Sequence, residues 1–291
     1  MNNTVFATFV YPGSEIHLPR MFSSLNEQSD YNFDIVIFND GAQLIEKICE
    51  RFLIKSPEII PVKGSIPKIR AAGLVQLKNL GYETAIFGDA DDSFAPNRVE
   101  VSKNLLLAHD LVVNEIDVHI LSSGKVLLGY FQNTIPINSR FGFDILKHCN
   151  FIGFTNSSVR LSKIPQIDFP DDITAVDWAL FSTLMLTGVN AYFTGDTTTA
   201  YFVHEKSHCD LLADDLTATM YKARVKCQHY NYLRSIGFAF DEECKQNEVL
   251  LNKLTDETLC DFRKQKSFCG REYPLWWDLQ TPIYEEKIFD V

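Results

Sequence analysis

Short apolar runs rich in β-branched and aromatic side chains alternate, through the N-terminal third of the chain, with segments whose apolar residues recur at helical spacing. "TVFATFV" (4–10) and "FDIVIF" (33–38) have the composition of strands. Between them, "EIHLPRMFSSLNEQ" (15–28) places Ile16, Phe22 and Leu25 on a helical stripe, with Pro19 tolerable only near the first turn. "AQLIEKICERFL" (42–53) predicts a second helix and "EIIPV" (58–62) a short strand. In "SIPKIRAAGLVQLKNLG" (65–81), Ile66, Ile69, Gly73, Leu77 and Leu80 share one face, with Ser65 as the cap and Gly81 as the stop. The strand "ETAIFG" (83–88) follows. This alternation predicts an α/β fold with a mostly parallel central sheet flanked by helices on both faces.

The pattern then changes. "DLVVNEIDVHILSSGKVLLGYF" (110–131) reads as sheet extension with a turn at Ser123-Gly124. "TAVDWALFSTLMLT" (174–187) predicts a helix closed by Gly188, and "NAYFTG" (190–195) a strand. Past residue 212 the strand–helix alternation stops, and residues 211–237 and 241–265 both read as helices. Without a low-complexity linker or an internal repeat, the expected organisation is a catalytic α/β domain over 1–212 and a helical C-terminal extension over 213–291.

Charge narrows the partners. A net charge of −11 argues against a broad phosphate-binding face for nucleic acid, so an anionic ligand would need a local device such as a metal ion. The N-terminus lacks the basic residues of a signal peptide, and no apolar run approaches the roughly 20 residues of a membrane span. The seven cysteines form an odd set with no C-x-x-C pair, which favours reduced thiols and a cytoplasmic protein. "HEKSHC" (204–209) and "CQH" (227–229) can be drawn as a zinc site with His204 and His208 on one helical face, but they lack compact ligand spacing.

The candidate chemistry lies in carboxylates. Ligands of open α/β sheets bind beyond the carboxyl ends of strands. Asp40 falls there after "IVIFN", and Asp89, Asp91 and Asp92 after "AIFG". Magnesium and manganese take one or two carboxylates together with substrate phosphates, and a D-x-D pair at a strand end meets that need. The same short motif also suits a solvated turn leading to the next helix at Pro96.

Four stretches in order carry a resemblance. "LPRMFSSLNEQSDYNFDIVIFNDG" (18–41), "IRAAG" (69–73), "IFGDADDSFAPNRVE" (86–100) and "VDWALFSTLMLTGVNAYFTGDTTTAYFVHEKS" (176–207) resemble family 2 glycosyltransferases of the GT-A fold, which transfer sugars from nucleotide diphosphates. They match that family's D-D-G strand end, A-R-N-x-G helix, D-A-D-D strand end, and E-D segment running to Y-R-V-H. The resemblance implies that Val10, Tyr11, Asp40, Arg70 and Asp89 bind the nucleotide sugar. It implies that Asp91, with His204, holds Mn2+ or Mg2+, and that Asp177 is the general base. It further implies a UDP-sugar donor, a glycan or lipid-linked acceptor, and an inverting single displacement in surface glycan or polysaccharide synthesis, and it allows peripheral contact with membranes.

Each residue has a plainer reading beside this one. Thr174 and Asp177 have the spacing of a capping box, and a helix N-terminus would lower the pKa of Asp177. Arg70 reads equally as a solvated helix residue, His204 as a core histidine, and Asp40 as a turn former. The chain also departs from the family pattern. Tyr11-Pro12-Gly13 stands for Y-N-R, Asn39 for the first acid of D-D-G, Ala42 for serine, Ala71 for asparagine, and Phe202 for the arginine of R-x-H. These changes leave open a non-catalytic sugar-nucleotide binding protein. A haloacid-dehalogenase-type phosphatase also ends a strand in D-x-D, normally its first strand. In the tail, Trp276 and Trp277 read as a terminal anchor or as a stacking platform for an acceptor sugar.

Overall fold

A computed structural model describes residues 2–147, 149–204 and 216–253. The chain opens with β1 (Thr4–Val10), α1 (Leu18–Asn26), β2 (Asp34–Asn39), α2 (Ile45–Phe52), β3 (Glu58–Pro61), α3 (Ile66–Asn79) and β4 (Thr84–Phe87). The order β3-β2-β1-β4 is parallel throughout, as the alternating pattern predicts. β5 (Ser93–Phe94), α4 (Arg98–Leu106), β6 (Leu111–Ile120), β7 (Lys125–Leu127), β8 (Ser139–Phe141), α5 (Phe143–Leu146) and β9 (Ser157–Arg160) follow. α6 (Val176–Leu186), β10 (Ala191–Val203), α7 (Leu216–Ser235) and α8 (Asp241–Lys253) complete the described elements.

The second half of the sheet is mixed. β9 lies antiparallel between β4 and β6, β10 runs parallel to β6, and β5, β7 and β8 join as antiparallel edges. Alternation of side chains gives the sheet two buried faces. Val5, Ala7 and Phe9 of β1 pack with Ile69, Leu74 and Leu77 of α3, in a core that also takes in α6, α7 and α8. Phe6 and Val10 point the other way, onto Leu18, Met21, Phe22 and Leu25 of α1 and Ile45 of α2. α6 is buried on nearly every side, because it lies within the larger core.

Several sequence expectations meet local detail. Gly81 and Gly188 end their helices at φ +85°, and Gly124 turns the β6–β7 hairpin at φ +69°. Ile66 is exposed, and the buried residues of α3 are Pro67, Ile69, Gly73, Leu74 and Leu77. The strand expected at 190–195 runs on to Val203, with a register shift between Thr194 and Thr198. Among the described residues no helix is long and apolar enough to cross a membrane. His208, Cys209, Trp276 and Trp277 lie outside the described residues.

Strand ends position the site. β4 leaves the sheet at Phe87, opposite Ala7 of β1, so Asp89 and its neighbours emerge beside the last residues of β1. β5 then pairs with Thr199 and Ala200, which straps the acidic loop to the far end of β10. The acids follow an inner strand with β1, β2 and β3 before it, unlike the first-strand acids of a haloacid-dehalogenase-type phosphatase.

Gly73 brings the α3 backbone onto the ring of Phe9, and an added Cβ would lie 2.7 Å from two ring carbons and 3.2 Å from Phe38. Phe9 is buried and stacked on Phe38 at 4.7 Å, so the ring has little room to yield. Gly73→Ala is therefore expected to destabilise the fold by about 1–3 kcal/mol, read as a lower thermal midpoint. An unchanged midpoint would show that the Phe9 ring moves freely.

Candidate active site

Asp89, Asp91 and Asp92 leave β4 together, and each has different company. Asp92 is 1% exposed. One of its carboxylate oxygens accepts the Thr155 hydroxyl at 2.5 Å and the other the Phe202 backbone N–H at 2.9 Å. Burial, and then the charges of Asp91 and Asp89, push its carboxyl well above the usual range. Asp92 is thus an internal tie between the acidic loop, β10 and the turn before β9.

Asp89 is one-third exposed and accepts Arg70 Nη2 at 3.1 Å. Its pKa is raised by burial and by Asp91, against the pull of Arg70. Arg70 projects from α3 with its guanidinium carbon 4.2 Å from the Phe9 ring centre and 4.3 Å from that of Phe154. The two rings fix the plane of the guanidinium and leave its charge intact. Arg70 is therefore a held cation and not a solvated helix residue.

Asp91 accepts His204 Nε2 at 3.0 Å. His204 directly follows β10, and its ring stacks on His17 at 4.8 Å between centroids. This placement on a strand end departs from the helical face drawn for a zinc site. His229, from the other half of that drawing, is buried flat against Trp178 at 3.8 Å. Among the described residues, no group of three or more His, Cys, Asp or Glu side chains forms a ready-made metal cage.

Asp177 lies in the first turn of α6. Oδ1 accepts the Trp178 N–H at 2.8 Å and Asn150 Nδ2 at 3.1 Å, while Oδ2 has no hydrogen bond among the described residues and faces Gly153. The capping box does not form, because Ala175 is the N-cap and the Thr174 hydroxyl donates to Gln228 at 2.9 Å. The expectation of a lowered pKa is also overturned. Burial pushes Asp177 up to about 6, helped by the charge of Asp89 and opposed by Trp178, Arg70 and Asn150. Desolvation outweighs the helix N-terminus here because the carboxylate is buried against its surroundings and not in solvent at the helix tip.

The nucleotide-side residues line the same strand ends. Val10 closes β1, buried, and its carbonyl accepts the Asp40 N–H at 2.9 Å. Asp40 follows β2, half-buried, and its carboxylate makes no hydrogen bond among the described residues. Tyr11 is 51% exposed, and its phenol pKa is raised by partial burial and by Asp91 and Asp89. The charge of Asp89 raises the pKa of both Tyr11 and Asp177, after burial in each case.

Sequence reasoning missed Phe9, Phe154, Asn150, Thr155, His17 and Arg20. Only Phe9 carries a readable signal, since alternation along β1 puts it on the α3 face with Val5 and Ala7. The others reach the site from turns or helix starts, where no period reports direction.

The sequence pattern of glycosyl transferase family 2 matches residues 14–164. No curated protein matches the chain in sequence. Among solved structures, the backbone is similar to S. aureus TarS 1-349 in complex with UDP-GlcNAc, with a TM-score of 0.58 and 16% identity over 89% of this chain and 78% of that one. TarS 1-349 in complex with UDP gives 0.59 and 13%, covering 94% and 76% of the two chains. Mannosyltransferase PcManGT from Pyrobaculum calidifontis, in complex with GDP-Man and Mn2+, gives 0.57 and 13%, covering 86% and 70%. These likenesses carry the GT-A fold, and the family pattern spans more than half of the sequence with Asp40, Arg70 and the acidic loop inside it. The chain belongs to glycosyl transferase family 2.

Proposed function

We propose that the protein is an inverting glycosyltransferase that moves a sugar from a nucleotide-diphosphate donor to an acceptor hydroxyl, in surface glycan or polysaccharide synthesis in the cytoplasm. The observation that carries this reading is Asp177. Its free Oδ2 and raised pKa describe a base with capacity for a proton, in a cleft shared with Asp89 and Arg70. A UDP-sugar is the first donor to test, because TarS binds UDP and UDP-GlcNAc, with GDP-mannose next, as bound by PcManGT. The acceptor is a glycan or a lipid-linked sugar reached by peripheral membrane contact. Residues 1–212 would form the transferase domain and 213–291 an extension packed against it.

The donor set fits a divalent cation. Asp91 carries a carboxylate beside Asp92 and Asp89, whose pKa values are raised first by burial and further by the neighbouring carboxylates, and a cation would offset that repulsion. Asp91 and His204 would hold Mn2+ or Mg2+, with donor phosphates completing the shell. Such an ion supplies Lewis-acid neutralisation of the departing diphosphate. Asp40 would contact the base or ribose, with Val10 and Tyr11 flanking the nucleoside. Asp89 would face the ribose, held by Arg70.

In the transfer itself, the acceptor hydroxyl gives its proton to Asp177 Oδ2 as its oxygen bonds the anomeric carbon. The bond from that carbon to the diphosphate breaks, and the nucleoside diphosphate leaves with the electron pair. Asn150 and the Trp178 N–H hold Oδ1, which leaves Oδ2 as the oxygen without a hydrogen bond among the described residues.

Three outcomes test this reading. Asp177 acts as a base only when ionised, so transfer should rise with pH through about 6, and Asp177→Asn should remove it while donor binding persists. Donor binding with no transfer by the wild type across acceptors would favour the binding-protein reading. Asp91→Asn should abolish manganese-dependent stabilisation by nucleoside diphosphates, measured by thermal shift, and unchanged stabilisation would contradict its assignment. The third outcome concerns stability. Folded Asp177 keeps its proton to about pH 6, whereas unfolded it releases it near pH 4. The folded chain binds more protons in that window, so stability falls as pH rises across it. Asp177→Asn should therefore raise stability above pH 7 by roughly 1–3 kcal/mol, converging with wild type below pH 4. Equal unfolding curves at both pH values would show that Asp177 titrates normally.

A further inference from the structure

We propose that Arg20 grips the diphosphate of the donor, an inference that rests on the nucleotide-sugar reading of the acidic cleft. Arg20 sits in the first turn of α1, just after Pro19. Its Nη2 donates to the Asp91 carbonyl oxygen, and its guanidinium carbon lies 3.5 Å from the centre of the Phe202 ring. A cation is thereby fixed directly over the acidic loop, on a ring that cannot neutralise it.

The carboxylates beside it do not claim it. Burial lowers its pKa and the charges of Asp92 and Asp91 oppose that, but neither carboxylate accepts a hydrogen bond from it among the described residues. The oxygens of Asp92 accept Thr155 and the Phe202 N–H, and Oδ2 of Asp91 accepts His204. Nε of Arg20 is buried without a partner, and Nη2 alone of its nitrogens has an acceptor among the described residues. Arg70 also keeps a buried nitrogen, Nη1, without a partner, but its Nη2 donates to a carboxylate, Asp89, and rings enclose both faces of its guanidinium, whereas Arg20 donates to a carbonyl and has a ring on one face. An arginine held charged, oriented and with unused donors beside a phosphate-metal site matches the fork geometry of a pyrophosphate.

Position 202 adds a second argument. A phenylalanine there, where the family pattern carries an arginine, removes a positive side chain from the end of β10. Arg20 comes from α1 and lies on the Phe202 ring, so a positive side chain still stands at the end of β10.

Calorimetric titration with UDP and GDP, against UMP and GMP, in manganese, tests the assignment on wild type, Arg20→Met and Arg20→Lys. Methionine keeps apolar contact with Phe202 and removes the charge. It should weaken diphosphate binding roughly tenfold to a hundredfold and leave monophosphate binding little changed. Lysine, charged but without the fork, should fall between. Thermal unfolding without nucleotide reports folding separately, and the lysine variant carries the test if methionine does not fold. A merely structural clamp on the Asp91 carbonyl would weaken both nucleotide classes equally or neither, and that result overturns the proposal. Wild type that binds no nucleoside diphosphate overturns the donor-site reading and this inference together. Wild-type binding with an unaltered diphosphate-to-monophosphate ratio in both variants overturns the role of Arg20 alone.

Discussion

Asp89, Asp91 and Asp92 crowd the end of an inner strand, and the cost of holding their charges together organises the surrounding structure. A buried carboxylate without hydrogen bonds, next to two others, would protonate or force the loop outward. Every element near the loop supplies compensation. The turn before β9 gives Thr155, β10 gives the Phe202 N–H, α3 gives Arg70, and the residue after β10 gives His204. The acid most deeply buried is the one with both oxygens satisfied by uncharged donors, which is the cheapest solution in the interior. The cations are reserved for the cleft side.

That requirement accounts for the mixed half of the sheet. A parallel sheet delivers strand ends to one edge but cannot bring a chain back across them. β5 leaves the acidic loop and pairs antiparallel with β10, and β10 shifts register between Thr194 and Thr198 before it passes the loop. Such irregularities redirect a strand and its side chains. The redirected end places Phe202 and His204 against Asp92 and Asp91. β9 similarly fills the gap between β4 and β6, and the turn leading into it carries Phe154 and Thr155 to the site.

What could be read in advance follows from how local each determinant is. The parallel half was legible because β1, β2 and α3 carry strong periods and Gly81 stops a helix at positive φ. The acids Asp89 and Asp91, and Asp177 after them, were legible through short motifs in order. The pKa of Asp177 was not, because the helix start is visible in sequence while its burial is not. The continuation of β10 was obscured by the polar stretch 195–199, which spans the register shift between Thr194 and Thr198. Arg20 and Asn150 were invisible for a simpler reason: their partners lie far along the chain, 71 residues away for Asp91 and 27 for Asp177.

The aromatic residues of the cleft resolve an apparent conflict. Cations must be fixed in an acidic site, yet an arginine fully paired with a carboxylate has few N–H donors left for an incoming phosphate and its field is largely offset. Rings provide the restraint without the pairing, since their faces attract a guanidinium and accept none of its protons as a carboxylate would. Phe9 and Phe154 hold Arg70 flat so that a single nitrogen suffices to reach Asp89. Phe202 holds Arg20 with a carbonyl as its only acceptor among the described residues. The apolar residues at this polar site therefore set the direction of positive charge, and Gly73 is small because the Phe9 ring must occupy the space its side chain would take.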